Sequence, residues 1–418
     1  MAKNNPRRRI LVSTTTFPRW KGDTEPAFVL ELSRRLARRF DVTVLAPHYR
    51  DAEPEESFEG IEVIRYRYAP ASLETLAYNG GIMQNLRRSK WKYLLVPMLM
   101  LAQLICAARL LRTSKYDLVH AHWLIPQGLV ALCARAGMHA PPPVLCTSHG
   151  GDLYALDRGI TGHMMRLVAR KAEFITIVSE AMRRHILDRG IATRAMEVIP
   201  MGADLTGLFT PAPEDRAMHE LLFVGRLVPK KGIDVLIRAL GIVLRQKPHT
   251  RLRIVGDGPE RSSLLQLADQ LGISGNIVFA GALTQAGLPY HYRRCTALVF
   301  PSVVDASNDQ EGLGLVLVEA LGCECPVICS DLAATRDVIV HEETGLHYPP
   351  GDHEALAQLM LRLLDDPAGA ALLGQQGRRH VLQHYDWETV AARYADLIDK
   401  IAGMHGHAQE GHNRNAHV

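Results

Sequence analysis

Residues 310–321, QEGLGLVLVEAL, are the most informative stretch of this chain. Glu311 and Glu319 stand eight positions apart, the first just before an apolar helical pattern and the second inside it. Residues 297–300, ALVF, come shortly before and predict a buried strand. The order strand, polar loop, helix start marks the place where open α/β sheets bind ligands. A helix N-terminus there offers unpaired amides and a positive dipole end.

Two carboxylates around one helix start restrict the kind of ligand. Both would repel a lone phosphate, whereas a ligand with hydroxyl groups on either side of a diphosphate could use both. The stretch therefore fits a nucleotide-sugar. The spacing alone is equally compatible with a helix that has a solvated glutamate at each end.

Length and composition indicate a globular protein of two domains. The chain has 418 residues, of which 47% are hydrophobic and 22% charged. Its seven cysteines show no C-x-x-C pair, and the spacing of Cys323, Cys325 and Cys329 is poor for zinc. We therefore expect reduced thiols in a cytoplasmic protein. The apolar run behind the basic N-terminus, residues 10–12, is too short for a signal peptide.

Charge is concentrated in the N-terminal half. Residues 1–205 carry 29 Lys and Arg against 19 Asp and Glu, giving +10. The remainder carries 19 against 25, giving −6, and the two sum to the net charge of +4. A basic half suggests an anionic partner, either a membrane or a nucleic acid. No nucleic-acid-binding motif supports the second, so we expect no nucleic acid partner.

The most apolar run, residues 93–111, follows the basic cluster RRSKWK at residues 87–92. Polar or helix-breaking residues interrupt it at Pro97, Gln103 and Arg109. A span needs about 20 mostly apolar residues, which favours a buried or interfacial helix. An interfacial contact with a membrane and a core helix with a solvated entry both stay open.

Strand and helix patterns alternate along both halves of the chain. Predicted strands are residues 9–13, 41–47, 117–123, 144–152 with a Gly-rich end, 174–179, 197–200, 221–226, 251–258, 276–283, 297–302 and 326–331. Predicted C-terminal helices are 353–366, 369–384 and 387–402, before an expected disordered tail at 404–418. Residues 200–219, rich in Pro and Gly, mark a domain boundary. The pattern predicts an α/β protein with doubly wound parallel sheets.

Three positively charged or titratable residues stand where such sheets bind ligands. His149 ends a predicted strand beside two glycines, which favours ligand contact over packing. Arg226 and Lys231 flank a strand-to-helix turn, where two cations could bind phosphates. The first strand-to-helix turn has no G-x-G-x-x-G, which counts against a dinucleotide-binding dehydrogenase.

These signals occur in a fixed order along the chain. They are HGGD at 149–152, GRLVPKKG at 225–232, VGDGPE at 255–260, PS at 301–302, and Glu311 with Glu319. In this order they closely resemble the retaining GT-B glycosyltransferases of family 4, over roughly residues 8–402. The resemblance implies two Rossmann-like domains facing a central cleft. Residues 1–205 would bind the acceptor, residues 206–385 the donor, and a C-terminal helix, 386–403, would return to the N-terminal domain.

The resemblance also assigns roles to single residues. Arg226 and Lys231 would neutralise the donor diphosphate. Glu311 would hold hydroxyls of the transferred sugar and Glu319 those of the ribose, while His149 would approach the reacting sugar. The other donor-binding candidates fall into three groups. The amides of Gly312, Leu313, Gly314 and Leu315 would reach the sugar and phosphate. Gly256, Gly258 and Pro259 would line the nucleobase, and Gly22 belongs to the first loop.

The activity implied is that of a retaining hexosyltransferase without a metal or cofactor. A sugar would pass from a nucleoside-diphosphate donor to a lipid-linked or saccharide acceptor, in cell-surface glycan or exopolysaccharide biosynthesis. The protein would be cytoplasmic, with peripheral contact to an anionic membrane at the cytoplasmic face of the inner membrane. Two alternatives are a nucleotide-sugar epimerase of the same architecture and a non-catalytic subunit that binds nucleotide-sugars.

Overall fold

The computed structural model describes residues 7–23, 25–156, 158–212, 216–217, 219–306 and 311–415, with the backbone alone for Ala155 and residues 406–415. The chain divides into two compact units. Unit 1 comprises Met1–Val178, Met182–Ile199 and Val390–Val418, and unit 2 comprises Ser179–Ala181 and Pro200–Thr389.

Unit 1 is built on a sheet with the strand order β3-β4-β2-β1-β5-β6-β7-β8 among the described residues. Neighbouring strands are parallel except β3 and β4. The central strands β1, β5 and β6 are buried on both faces, as expected for parallel strands covered by helices on both sides. The strands are β1 Arg9–Ser13, β2 Asp41–Pro47, β3 Glu55–Phe58, β4 Ile61–Tyr66, β5 Leu118–His122, β6 Val144–Ser148, β7 Phe174–Ile177 and β8 Met196–Val198.

The helices between these strands are the crossover connections that parallel pairing requires. Helix α3 connects β4 to β5 and packs on the sheet with one face only. The helices are α1 Phe28–Leu36, α2 Gly81–Arg88, α3 Leu95–Thr113, α4 Leu129–Ala134, α5 Gly151–Ala155, α6 Gly159–Lys171 and α7 Glu180–Asp188.

Unit 2 contains a fully parallel sheet with the strand order β11-β10-β9-β12-β13-β14. The chain order reverses between β9 and β12, so the loops after these two strands flank a topological switch point, where such sheets bind ligands. The strands are β9 Glu220–Val224, β10 Arg251–Val255, β11 Ile277–Gly281, β12 Ala297–Phe300, β13 Val327–Ser330 and β14 Leu346–Tyr348.

The second group of helices covers both faces of this sheet and then leads back to unit 1. Core residues from α8, α13 and α14 pack on one side, and residues from α11 on the other. The helices are α8 Ile233–Leu244, α9 Arg261–Gln270, α10 Leu288–Arg294, α11 Leu315–Gly322, α12 Ala333–Arg336, α13 His353–Asp365, α14 Pro367–His384 and α15 Trp387–Asn415.

Two features differ from the sequence-based expectations. The chain from residue 404 was expected to be disordered, whereas α15 continues to Asn415. No proline interrupts it, and extending an existing helix gains one hydrogen bond for each residue fixed. The remainder of the expected tail, 416–418, lies outside the described residues. The antiparallel pair β3 and β4 at one edge of the first sheet, and the short edge strand β14 of the second, were not predicted. The predicted architecture of two doubly wound, Rossmann-like sheets is confirmed.

Candidate active site

Three loops of unit 2 are held together by their backbones at the carboxyl ends of β9, β10 and β11. Gly225 N donates to Val255 O over 3.0 Å, and Gly256 N donates to Gly281 O over 2.8 Å. Gly256 has φ +138°, and a Cβ there would lie 1.8 Å from Gly225 O. A Cβ on Gly258 would lie 2.3 Å from Leu227 O. Both predicted loop glycines therefore permit an approach of backbone to backbone that no side chain allows.

The loop after β9 also contacts the loop after β12, across the switch point. A Cβ on Gly232, which has φ +59°, would lie 2.2 Å from Pro301 O. Val303 N donates to Lys230 O over 2.8 Å. These contacts fix the short turn Pro229–Lys231 beside the end of β12. The Lys231 side chain is thereby directed over the Phe300 ring, with Nζ 4.7 Å from the ring centroid.

Lys231 and Glu311 form an ion pair at this position. Nζ of Lys231 donates to Oε2 of Glu311, and each side chain is about one-seventh exposed or less, at 13% and 14%. A largely desolvated pair of this kind is held firmly, because separating it leaves two charges poorly solvated. Two of the predicted catalytic residues, 80 positions apart in sequence, are therefore brought together. Arg226 lies exposed on the same loop as Lys231.

Glu319 lies in the middle of α11 and is buried, with 7% of its surface exposed. The phenol of Tyr292 on α10 donates to Oε2 of Glu319 over 3.0 Å. Burial raises the pKa of Glu319 to about 7, although hydrogen bonds from Tyr292 and Gln285 oppose the rise. A buried carboxylate with so few donors favours a ligand that supplies hydroxyl groups.

The chain enters α11 through the predicted amide-bearing segment, residues 312–315. Gly314 precedes the helix, without a side-chain cap at this end. The amide of Leu315 donates to Leu313 O over 3.0 Å, so one of the four predicted donors is bonded within the chain. A Cβ on Gly314 would lie 2.8 Å from the Leu317 side chain. Gly314 thus packs the loop tightly onto the helix that carries Glu319.

In unit 1, the predicted residue His149 follows β6 and lies in a group of rings. Its imidazole stacks on that of His122, with centroids 5.2 Å apart and planes inclined by 12°. Phe28 and Trp123 contact it at centroid distances of 4.7 and 5.1 Å. Nε2 of His149 lies 3.0 Å from Nδ1 of His122, so one ring donates to the other. His122 was not predicted as a site residue, although it ends β5 as His149 follows β6.

Burial keeps these imidazoles neutral. It lowers the pKa of His149 to about 3 and that of His122 well below the ordinary value, with His120 adding to both effects. A neutral pair can donate through one nitrogen and accept through another. Among the described residues, Nδ1 of His149 and Nε2 of His122 have no hydrogen-bond partner. The pair therefore keeps polar capacity beyond its mutual bond.

The loops around this histidine pair are fixed by Asp152, the last residue of the HGGD motif. Ser148 Oγ donates to one of its carboxylate oxygens and the amide of Leu124 to the other, each over 2.6 Å. Asp152 thereby ties the loop after β5 to the loop after β6. Trp123, between them, has φ +76°, a left-handed conformation that is uncommon for a bulky residue.

The first loop, which contains Gly22, is organised by Arg19, which was not among the predicted site residues. Gly22 has φ +82° and open space where a Cβ would be. The buried Arg19 guanidinium binds both oxygens of Asp23, at 2.7 and 2.8 Å. It also lies 4.5 Å from the Trp20 ring centroid. Of the predicted site residues, Gly22 and His149 belong to unit 1 and the others to unit 2.

Comparison with known proteins identifies the family. Residues 27–206 match the family described as Glycosyltransferase Family 4, and residues 211–380 match Glycosyl transferases group 1. This chain belongs to the family 4 glycosyltransferases, with the GT-B fold.

Individual relatives support this assignment. The glycosyltransferase is 29% identical over 410 residues to the GDP-mannose-dependent alpha-(1-6)-phosphatidylinositol monomannoside mannosyltransferase of Mycolicibacterium smegmatis, covering 93% of this chain and 98% of the relative. It is 27% identical to the D-inositol 3-phosphate glycosyltransferase of Kineococcus radiotolerans, over 87% of each chain. A solved structure, sucrose-phosphate synthase of Thermosynechococcus elongatus, superposes with a TM-score of 0.76 at 23% identity. It covers 95% of this glycosyltransferase and 100% of that chain, which shows the common fold.

Proposed function

We propose that this glycosyltransferase transfers a sugar from a nucleoside-diphosphate donor to a hydroxyl of a lipid-linked or saccharide acceptor, with retention of anomeric configuration and without a metal. The observation that carries the proposal is the Lys231–Glu311 ion pair at the switch point of unit 2, with buried Glu319 on the following helix. This set combines a cation for phosphate with two carboxylates for hydroxyl groups.

The proposed donor orientation follows from these groups. The diphosphate would lie at the loop after β9, near Lys231 and Arg226, and at the start of α11. Ribose hydroxyls would donate to Glu319, whose burial strengthens such hydrogen bonds. The nucleobase would pack on the glycine loop formed by residues 256–259. Glu311 would exchange part of its contact with Lys231 for hydroxyls of the sugar.

The proposed chemistry needs no protein nucleophile. The bond from the anomeric carbon to the donor phosphate oxygen breaks, and a bond to the acceptor oxygen forms on the same face. The acceptor proton passes to the leaving phosphate, so the products are a glycoside and a nucleoside diphosphate. Lys231 and Arg226 would stabilise the charge that develops on the leaving phosphate, which is the role a metal has in other transferases. His149 would contact the sugar as a neutral imidazole.

The relatives narrow the first substrates to test. One is named as GDP-mannose-dependent and as acting on a phosphatidylinositol monomannoside, and another as acting on D-inositol 3-phosphate. We therefore propose GDP-mannose as the first donor and inositol-phosphate glycolipids as the first acceptors. A role in cell-surface glycan or exopolysaccharide biosynthesis, in the cytoplasm, belongs to the same proposal.

The test begins with binding and ends with turnover. Thermal unfolding is compared in UDP, GDP and ADP, because the ligand that binds raises the unfolding temperature. Nucleoside diphosphate release is then measured with the matching sugar donor, with and without acceptor and with EDTA throughout. Acceptor-dependent release in EDTA, giving a product with the donor's anomeric configuration, is expected. Activity abolished by EDTA and restored by Mn²⁺ would refute metal independence. An inverted product would refute retention, and release that needs no acceptor would refute transfer.

A further inference from the structure

Helix α3 has two faces in opposite environments. Its buried face carries residues about one turn apart: Leu95, Leu99, Gln103, Ala107 and Leu111. The other face is apolar too, yet exposed: Leu94 is 72% exposed, Met98 44%, Leu101 57% and Ile105 61%. A soluble protein seldom leaves such a contiguous apolar stripe without a partner.

The stripe continues into the turn Lys90–Leu94 that precedes α3. Trp91 and Tyr93 are 47% and 59% exposed. Both ring types favour the boundary between water and lipid, since one end of each ring system is apolar and the other polar. We define the apolar patch by its six members: Trp91, Tyr93, Leu94, Met98, Leu101 and Ile105.

The charge around the apolar patch has one dominant sign. Residues 75–116 contain seven Lys and Arg and no Asp or Glu. Arg87, Arg88 and Lys90 are exposed directly before the patch, and Arg109 and Arg112 are exposed at its other end. Burial raises the pKa of the Cys106 thiol and Glu55 on β3 adds to the rise, so one carboxylate lies near the second half of α3. The surface is otherwise complementary to anionic groups.

The described residues contain one helical segment, Lys90–Thr113, that is long and apolar enough to cross a membrane by length and composition. Its packing argues for a different orientation. α3 is the crossover between β4 and β5 of one sheet, and buried Gln103 donates to Ser13 Oγ on β1 over 2.7 Å. Spanning a bilayer would require this face to leave the core of unit 1.

We propose that the apolar patch docks unit 1 onto the surface of an anionic lipid bilayer. α3 lies along the membrane plane, with Leu94, Leu101 and Ile105 inserted at the boundary between headgroups and acyl chains. Trp91 and Tyr93 sit at the headgroup level, and Arg87, Arg88 and Lys90 contact lipid phosphates. The chemistry recognised is that of the bilayer itself, so docking requires neither donor nor acceptor sugar.

The experiment is sedimentation of the full chain with vesicles of phosphatidylcholine, or of phosphatidylcholine mixed with phosphatidylglycerol. We expect binding to the anionic vesicles that weakens as salt is raised. In the variant Leu94→Ser/Leu101→Ser/Ile105→Ser, the partition coefficient onto anionic vesicles should fall by about tenfold or more, because three inserted side chains are lost. The variant Arg87→Gln/Arg88→Gln/Lys90→Gln should lose the preference for anionic vesicles.

A matched control is Leu372→Ser on α14 in unit 2, since Leu372 is 51% exposed and outside the apolar patch. It should bind as the unchanged protein does. All altered side chains are exposed, so the unfolding temperature should stay the same, which is checked by circular dichroism. A second probe is quenching of tryptophan fluorescence by brominated lipid, which Trp91→Phe should reduce.

Several outcomes would overturn the proposal. One is absence of vesicle binding by the unchanged protein, and another is equal binding to neutral and anionic vesicles. A third is full binding by the apolar triple variant. If light scattering shows a dimer that this variant converts to monomer, with no vesicle binding, the patch is a contact between two copies. Sugar-free vesicles keep the test separate from the proposed transfer, because either activity can fail while the other persists.

Discussion

Tyr292 and Glu319 form a buried pair in which the phenol donates to the carboxylate over 3.0 Å. The pair makes the proposed donor site of unit 2 sensitive to pH. Burial raises the pKa of Glu319 from 4.5 to about 7, so the folded protein holds a proton that the unfolded chain has released across this window. The empty protein therefore loses stability as pH rises from about 4.5 to about 7.

Binding of the nucleotide should show the opposite trend. In the proposed orientation ribose hydroxyls would donate to the ionised carboxylate, so affinity for the nucleoside diphosphate should rise by about tenfold between pH 6 and 8. The affinity is measured by titration calorimetry. In Glu319→Gln the side chain cannot ionise, so any pH dependence of affinity that remains comes from ionisation of the ligand's phosphate. Tyr292→Phe removes a hydrogen bond that lowers the pKa, so the rise should move to higher pH. Equal pH profiles for Glu319→Gln and the unchanged protein would contradict the assignment.

Removal of the Glu319 carboxylate should weaken nucleoside diphosphate binding by about 1–3 kcal/mol, because hydrogen bonds to a charged acceptor are lost. The variant is Glu319→Ala, and the measurement is the dissociation constant at pH 8, where the unchanged residue is ionised. Glu354→Ala on α13, an exposed glutamate in the same unit, is the control. Affinity that stays within a factor of two would refute the role of Glu319.

The Lys231–Glu311 pair should act as a unit in turnover. Lys231→Ala should depress kcat more than donor affinity, since the leaving phosphate gains its charge in the transition state. Combined with Glu311→Gln, the loss in kcat/KM should depart from additivity by about 1 kcal/mol or more. Lys230→Ala changes the neighbouring charge and is the control. An unchanged kcat in Lys231→Ala would exclude leaving-group stabilisation.

Gly256 should be intolerant of any side chain. In Gly256→Ala, the Cβ would meet Gly225 O at 1.8 Å, and backbone on both sides must move. We expect a loss of more than about 2 kcal/mol in the free energy of unfolding, together with weaker nucleotide binding. Gly272→Ala is the control, because Gly272 has φ +69° but nothing within 4 Å of a Cβ. That change should cost only about 1 kcal/mol, for the conformation alone. Similar losses in urea denaturation would contradict the crowding argument.

His122 should influence catalysis through His149. His122→Phe keeps a ring beside His149 but removes the 3.0 Å hydrogen bond, so the His149 imidazole loses its fixed orientation. We expect kcat to fall by about tenfold with donor KM nearly unchanged. His122→Asn places an amide near the position of Nδ1 and should restore part of the activity, which a purely structural role would not predict. His163→Asn, at an exposed histidine, is the control; full activity of His122→Phe would refute the coupling.

Much of the fold could be predicted from the sequence, because buried parallel strands leave near-continuous apolar runs. The residues of β1, β9, β12 and β13 are such runs. β3 and β4 escaped prediction because they form a short edge hairpin with alternating exposure. Its turn uses Glu59 at φ +51° and Gly60 at φ +81°, a pair without the usual Asn-Gly signal.

The candidate site was predictable residue by residue but not as a set of contacts. Lys231, Glu311, Glu319 and His149 could be predicted from short motifs, because helix starts and strand ends can be located in the sequence. The hydrogen-bond and ion-pair partners of these residues could not be predicted. Tyr292 and Glu319 are 27 positions apart, and Lys231 and Glu311 are 80. Such pairings depend on how strands order themselves in the sheet, which local patterns do not encode.

Gln103 restricts how α3 can be oriented against the sheet of unit 1. A helix with leucines, methionines and alanines on every side could rotate about its own axis and still bury similar apolar area. The Gln103 amide bonded to Ser13 Oγ makes the observed rotation preferable, because turning the helix about its axis would break this buried hydrogen bond. One hydrogen bond thus fixes the rotation of α3 about its own axis. It determines which face of an almost uniformly apolar helix is buried in unit 1 and which face is exposed.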